Sequence, residues 1–300
     1  MTSFTDQAVT VEVPATSANL GPGFDCLGIA LDFRDVLTAR VSSETSIVVE
    51  GEGAAEVPLD ESHLVLRALR AGLDHLGAAQ PAIDLRCRNV IPHSRGLGSS
   101  SAAIVGGLAL ARALVDVGEG APSMDDEEML AVANAIEGHP DNVAPACLGG
   151  FVVSGQDRAR VWGLRTGIDP RIGARVFVPP EGVETKLARG LLPESISHGE
   201  ATANTGRAAL LVAALAGHPE HLLRATEDFL HQKYRETAMP HSYALVERLR
   251  AMACPAVISG AGPTVLAFTG PGLPEVAGFA PAGWRELELS IATSGVRVVD

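Results

Sequence analysis

The stretch NVIPHSRGLGSSSAAIVGGLALARAL, residues 89–114, constrains this chain more than any other. A proline-led loop rich in glycine and serine runs without a breaker into an Ala/Leu-rich segment, which predicts a helix from about Ser100. Gly96 and Gly98 let backbone N–H groups come close to an anion. Ser99, Ser100 and Ser101 add hydroxyls, one of which can cap the helix. The helix behind them aims its positive dipole end at the loop. Together these make a cradle for phosphates, yet the lysine of the common GxxxxGK[ST] nucleotide loop is missing. The chain has only two lysines, Lys186 and Lys233, and neither follows a glycine. Serine oxygens can ligate Mg²⁺, a hard cation that takes oxygen ligands. The metal then supplies the missing charge, with Arg95 or Arg88 as helpers. Alone, the stretch is equally well explained as a capped helix after a glycine turn.

The rest of the chain bounds what such a loop serves. Three hundred residues is the length of about two domains. A hydrophobic fraction of 46% is that of an ordinary globular protein with a large core. The net charge of −13, without a block of basic residues, argues against a nucleic-acid binder. The four cysteines, Cys26, Cys87, Cys147 and Cys254, are far apart with no CxxC, so free thiols in a reducing cytosol are expected. The N-terminus lacks a basic segment followed by an apolar one, and the run AAIVGGLALA is too short to span a bilayer. A soluble, cytoplasmic protein that does not engage membranes is expected.

Alternation predicts strands at AVTVEVPA, LTARVS, SIVVEGEG, IDLRCRNVI and GGFVVSG. Helical spacing is found over residues 61–76 and in SMDDEEMLAVANAIEG, whose acids crowd the first turn. The second half opens with the strand RVFVPP, continues with helical stretches at about 200–216, 219–232 and 242–252, and closes with AVISGAGPTVLAF and ELELSIATSGVRVV as strands. The alternation gives α/β or α+β, with a domain boundary near residues 155–165.

Two further Gly-rich stretches, PATSANLGPGFDCLG (14–28) and SGAGPTV (259–265), accompany the loop. The three segments resemble the three signature motifs of the GHMP kinases, the superfamily of galactokinase, homoserine, mevalonate and phosphomevalonate kinases. EGHPDNVAPACLGG (137–150) is similar to the branch that acts on L-homoserine. The four segments follow in the expected order from residue 14 to 265 and are specific as a set. The resemblance implies an α+β, two-domain GHMP kinase fold. Residues 1–158 would form an N-terminal ATP-binding domain of the ribosomal protein S5 domain 2-like type. Residues 159–300 would form a ferredoxin-like C-terminal domain, with the active site in the cleft between them. It implies transfer of the ATP γ-phosphate, with Mg²⁺, to the side-chain hydroxyl of L-homoserine, on the way to threonine. It also implies a homodimer, the state in which such kinases are often found.

An amino-acid substrate carries a carboxylate and an ammonium, so its site should offer arginine to the first and acids or amides to the second. Arg189 and Arg235 match the family's carboxylate-binding arginines. Thr185 lies four residues before Arg189, on the same side of a helix. Asp25 and Asp141 are the ammonium candidates, with Asn19 near the hydroxyl end and His139 and Gly262 beside them. Read locally, Asn19 is a turn former, Asp25 a helix cap and His139 a loop histidine. Glu137 matches the family's acidic metal ligand and, with Ser100, would place Mg²⁺ between the β- and γ-phosphates. The nucleotide would be held by Pro92, Arg95, Gly96, Leu97, Gly98, Ser99, Ser100, Ser101 and Ala102. His63 stands where many relatives have an adenine-binding asparagine. Some GHMP kinases place an aspartate near the acceptor hydroxyl; here that position is Asn142, which cannot accept a proton. Asn19, Asn142, Ser100 and Glu137 are thus the catalytic set, with positioning and electrostatics doing most of the catalysis. Other acceptors, such as mevalonate or a diphosphocytidyl sugar alcohol, and a catalytically silent sensor are the rival readings.

Overall fold

The computed structural model describes residues 3–115, 123–158 and 160–299. The chain begins with two long antiparallel strands, β1 (Val9–Asn19) and β2 (Gly23–Ser42). The Gly-rich stretch at 14–28 is therefore the tip of a hairpin and not a separate loop. β3 (Ser46–Gly51) and β4 (Ala82–Asn89) pair in parallel, which requires the crossover helix α1 (Leu64–His75) between them. Helices α2 (Ser99–Leu114), α3 (Asp126–Glu137) and α4 (Pro140–Leu148) follow, then the hairpin β5 (Phe151–Asp157) and β6 (Arg160–Thr166). Strands β1 to β6 and the late strand β11 (Arg297–Val299) build one seven-stranded sheet. Its backbone order is β11-β1-β2-β4-β3, with the β5–β6 hairpin on the far end of β2.

The second sheet is antiparallel and holds β7 (Gly173–Val178), β8 (Ala256–Ile258), β9 (Val265–Thr269) and β10 (Arg285–Ser290) in the order β10-β7-β9-β8. Between β7 and β8 run α5 (Thr185–Gly190), α6 (His198–Gly217), the short α7 (Leu222–Ala225) and α8 (Pro240–Ala251). Phe177, Leu245, Leu249, Ile258 and Val265 form a core under this sheet. Val11, Ile29, Leu37, Leu66, Leu69, Val105 and Leu108 belong to the larger core, where α1 and α2 cover the first sheet. α2 is buried on nearly every side, which explains why its sequence is apolar all round at less than membrane length.

One expectation needs correction, and two elements carried no clear sequence signal. Residues 219–232 are not one helix: α7 ends at Ala225, and a turn follows. There the Asp228 carboxylate takes the N–H groups of Leu230, His231 and Gln232, drawing them out of helical pairing. α4 has no strong sequence signal because it contains Pro145. That proline removes the N–H that would bond the Asp141 carbonyl. Gly28 of β2 fills the space instead, its missing Cβ letting backbone lie against that carbonyl. β6 carries two arginines and is interrupted by a glycine, so its alternation is hidden; Leu164 and Trp162 face outward on it.

Candidate active site

The site is assembled from the ends of several helices, the tips of two hairpins and the turn that carries Arg235. α2 begins at Ser99, and its N-cap is Gly98 in the left-handed region, φ 70°, with no side-chain cap. No serine caps this helix, so its first N–H groups stay available at the loop. Only a glycine fits at 98: a Cβ there would overlap the Thr16 hydroxyl and reach within 3.2 Å of Asn142 Oδ1. The Ser100 and Ser101 hydroxyls instead donate to Glu137 Oε1 at 2.7 and 3.0 Å. Glu137 is the last residue of α3, and Gly138 turns the chain there with φ 93°.

α4 starts next to it, its N-terminus delivering His139, Asp141 and Asn142. His139 is the N-cap by position but caps nothing with its side chain; Nδ1 lies 2.8 Å from Asp141 Oδ1. That carboxylate raises the imidazole pKa above its usual value despite burial, with Glu137 adding to the effect. Asn142 Oδ1 accepts the Thr16 hydroxyl at 2.9 Å.

The β1–β2 tip bends sharply. Asn19, Leu20 and Asp25 all have positive φ, an uncommon conformation for residues with side chains. Asn19 holds it: Oδ1 accepts the Asp25 N–H and Nδ2 donates to the Gly260 carbonyl, both at 2.9 Å. Asn19 thus ties the first Gly-rich motif to the third. Ser259 ties the third to the loop at 96, donating to the Gly96 carbonyl at 2.6 Å.

The two arginines reach the site from opposite situations. Arg189 on α5 makes a two-pronged pair with Asp25, at 2.7 and 2.9 Å. Arg235 is 1% exposed and has no carboxylate salt-bridge partner among the described residues. Nε donates to the Ala188 carbonyl at 3.2 Å, and Nη1 to His231 Nδ1 at 3.1 Å and to the Gly260 carbonyl at 3.3 Å. Burial, then the neighbouring Arg189, lower its pKa from the usual 12.5 to about 10.

These groups face one cavity of about 200 Å³. It is lined by Asn19, Gly96, Gly98, Ser99, Ser100, Glu137, His139, Asp141, Asn142, Thr185, Arg189 and Arg235 among others. Ser94, Ser99 and Ser100 also line a second chamber of about 250 Å³, which ends at His63 and Asp35. His63 is the N-cap of α1, and its Nδ1 is buried without a hydrogen bond. Burial first, then His93, lowers its pKa, so the ring is neutral.

Several expected residues do not line either chamber. Leu97 and Ala102 are core, and Ser101 is buried behind Glu137. Asp25 reaches the cavity only through Arg189. Gly262 sits in the β8–β9 turn against Met239. Arg95 points away: it bonds the carbonyls of His93, Pro179 and Pro180, bracing the loop against the second sheet. It offers no charge to the cavity, and neither does Arg88, which is exposed on β4. Thr16, Ser94, His231 and Ser259 were not singled out by sequence; Thr16, Ser94 and Ser259 lie inside the quoted motifs, whereas His231 carries no local signal.

The GHMP kinases N terminal domain model matches residues 63–150, and the GHMP kinases C terminal model matches 210–278. A homoserine kinase of Streptomyces avermitilis is 51% identical over 299 residues, spanning 99% of this chain and 97% of its own. A homoserine kinase of Mycolicibacterium smegmatis is 46% identical over 301 residues, spanning 97% and 94%. The crystal structure of a homoserine kinase from Cytophaga hutchinsonii superposes with a TM-score of 0.84 at 26% identity, covering 99% of this chain and 98% of that one.

Proposed function

Because the chain belongs to the homoserine kinases of the GHMP kinase family, we propose that its cavity is where the γ-phosphate of ATP passes to the side-chain hydroxyl of L-homoserine. The product is O-phospho-L-homoserine, an intermediate of threonine biosynthesis. The fold is the two-domain α+β GHMP kinase fold, with a ribosomal protein S5 domain 2-like N-terminal part and a ferredoxin-like C-terminal part. The proposed division into residues 1–158 and 159–300 is supported by the second sheet, whose strands all come from the later stretch. β6 and β11, which also come from the later stretch, join the first sheet.

One observation carries the assignment of the substrate end: Arg235 is buried without a carboxylate salt-bridge partner among the described residues and lines a cavity that also holds the helix-start cradle. An unpaired buried charge is costly, and an incoming carboxylate is the partner that relieves it. Arg189, held by Asp25, lines the same cavity, as do Asp141 and His139. The ammonium goes to Asp141, and Thr185 borders the same space.

At the other end, the free N–H groups of α2 and the glycine backbone of residues 96–98 receive the phosphates. The second chamber suits the nucleobase, and the unpartnered His63 Nδ1 provides a hydrogen-bonding group there. The oxygens of Ser100 and Glu137 lie 2.7 Å apart and fit Mg²⁺, which commonly takes few protein ligands beside phosphate oxygens. When bound, the ion neutralises charge developing on the phosphates. Asn142 cannot act as a base; held by Thr16, it orients the acceptor hydroxyl. A loose phosphoryl-transfer transition state needs little base help, so the hydroxyl proton leaves late, to the γ-phosphate itself. Cytoplasmic residence and a homodimer belong to the same reading; among the described residues no helix is long and apolar enough to cross a membrane.

The test is an ADP-release assay with ATP and Mg²⁺, offering L-homoserine, mevalonate and L-threonine in parallel. Turnover with homoserine, lost in Arg235→Leu, is expected. Turnover with another acceptor overturns the substrate assignment, and no turnover despite ATP binding favours a silent sensor.

A further inference from the structure

His231 is a buried titratable group that the phosphoryl-transfer site leaves unused. Its side chain is fully enclosed, with the Phe24 ring 5.3 Å away. Nε2 lies 2.8 Å from the Gly21 carbonyl oxygen, and Nδ1 lies 3.1 Å from Nη1 of Arg235. These partners leave one tautomer. A carbonyl oxygen only accepts and a guanidinium only donates, so Nε2 carries the proton and Nδ1 offers its lone pair. The ring is neutral, since burial is the largest influence on it and lowers its pKa. The charged groups facing it are Asp228, with Oδ1 3.7 Å from Nε2, Arg235, and Asp25 on β2.

The ring is itself held firmly. Asp228 takes three successive N–H groups of the turn, including that of His231 at 3.1 Å. Gln232 Oε1 accepts the Ile258 N–H at 2.6 Å, fastening the turn to β8. Three segments therefore fix Nε and Nη1 of Arg235: α5 through Ala188, the β8–β9 turn through Gly260, and this turn through His231. Nη2 donates to no group among the described residues and is left for the cavity that Arg235 lines.

We propose that His231 is a positioning residue: a neutral imidazole acceptor that aims Arg235 at the carboxylate of the amino-acid substrate. The inference rests on the reading of Arg235 as the carboxylate clamp. A flexible arginine pays less conformational entropy on binding when its fork is already oriented. Protonation of Nδ1 would set a second donor against the guanidinium and turn the support into repulsion.

Two replacements separate the two faces of the ring. In His231→Asn the side-chain oxygen can stand near Nδ1 and accept from Arg235. In His231→Gln the amide N–H₂ reaches towards Gly21, and the acceptor for Arg235 is lost. His231→Gln is expected to raise KM for L-homoserine about tenfold, the loss of one charge-assisted hydrogen bond, with KM for ATP within about twofold. His231→Asn should recover most of that loss. In an Arg235→Met background, which keeps residual turnover, His231→Gln should add nothing. Equal shifts in both KM values, identical Gln and Asn behaviour, or an effect that persists without Arg235 overturn the proposal. A wild-type enzyme inactive on homoserine overturns the functional reading instead, and shows it without any variant. If the variants do not fold, ¹⁵N NMR of the unaltered protein decides: Nε2–H with bare Nδ1 supports the proposal, and a proton on Nδ1 refutes it.

Discussion

Replacing Arg235 by methionine should cost much activity and little stability. Arg235 is 1% exposed and has no carboxylate salt-bridge partner among the described residues. Burial, with Arg189 nearby, lowers its pKa from 12.5 to about 10. At about 1.4 kcal/mol per unit, keeping it charged costs the fold about 3 kcal/mol. The sign follows from a base whose folded pKa is depressed: the penalty is fully present below pH 10, hence at neutral pH, and fades only as pH rises beyond it. Against this relief, methionine forfeits three hydrogen bonds. The Gly260 carbonyl keeps Asn19 as a donor, so two acceptors, Ala188 O and His231 Nδ1, are orphaned at about 1–2 kcal/mol each. The terms nearly cancel, and net stability should change by about 1 kcal/mol or less, a shift of roughly 2 °C in Tm. Breaking a structural buried ion pair costs about 3–5 kcal/mol by contrast. Activity should respond oppositely: losing a charge-assisted contact to the substrate lowers kcat/KM for homoserine by about 10- to 100-fold or more. Thermal unfolding and ADP release on one preparation read both quantities. A loss above about 3 kcal/mol with kcat/KM unchanged would show that Arg235 is a structural residue and refute the reasoning.

Three further outcomes are expected. Glu137→Gln leaves Ser100 and Ser101 an acceptor, so Tm should hold while Mg²⁺-dependent turnover falls about 100-fold; unchanged turnover would remove Glu137 from the metal site. Gly98→Ala should destabilise by about 2–3 kcal/mol in urea, combining left-handed strain with displacement of Thr16 from Asn142; a neutral effect would show that the loop relaxes freely. Asp35 is raised to about 6, chiefly by burial, while Val90 and Ile91 donate to it. A carboxyl raised on folding costs nothing below its unfolded pKa, and the penalty grows until pH passes about 6. Asp35→Asn keeps the acceptor, so it should gain up to about 3 kcal/mol at pH 7 and nothing at pH 3, as read by urea unfolding; a gain independent of pH would contradict this.

The sequence announced the parts with local signatures. The glycine–serine cradle and α2, the acid-led α3 and the three Gly-rich motifs are patterns over a few neighbouring residues, where backbone conformation and helix capping are decided. The acids at 137 and 141 and the arginines at 189 and 235 came from resemblance, since an isolated charged residue has no pattern of its own. Sequence could not reveal α4, where Pro145 is tolerated only because Gly28 covers the freed carbonyl from another strand. Nor could it show that Arg95 braces the loop, that Asn19 spends both ends of its amide on Asp25 and Gly260, or that Arg189 is paired and Arg235 is not. Those facts depend on which carbonyl or carboxylate lies within 3 Å or so, and the partners are as much as 241 residues away along the chain. Composition and local pattern determined that this chain would build helices, strands and an anion cradle. Only the packing of the two sheets decided which charges would face one cavity, because burial and partnering, not residue type, set what a charged group can do.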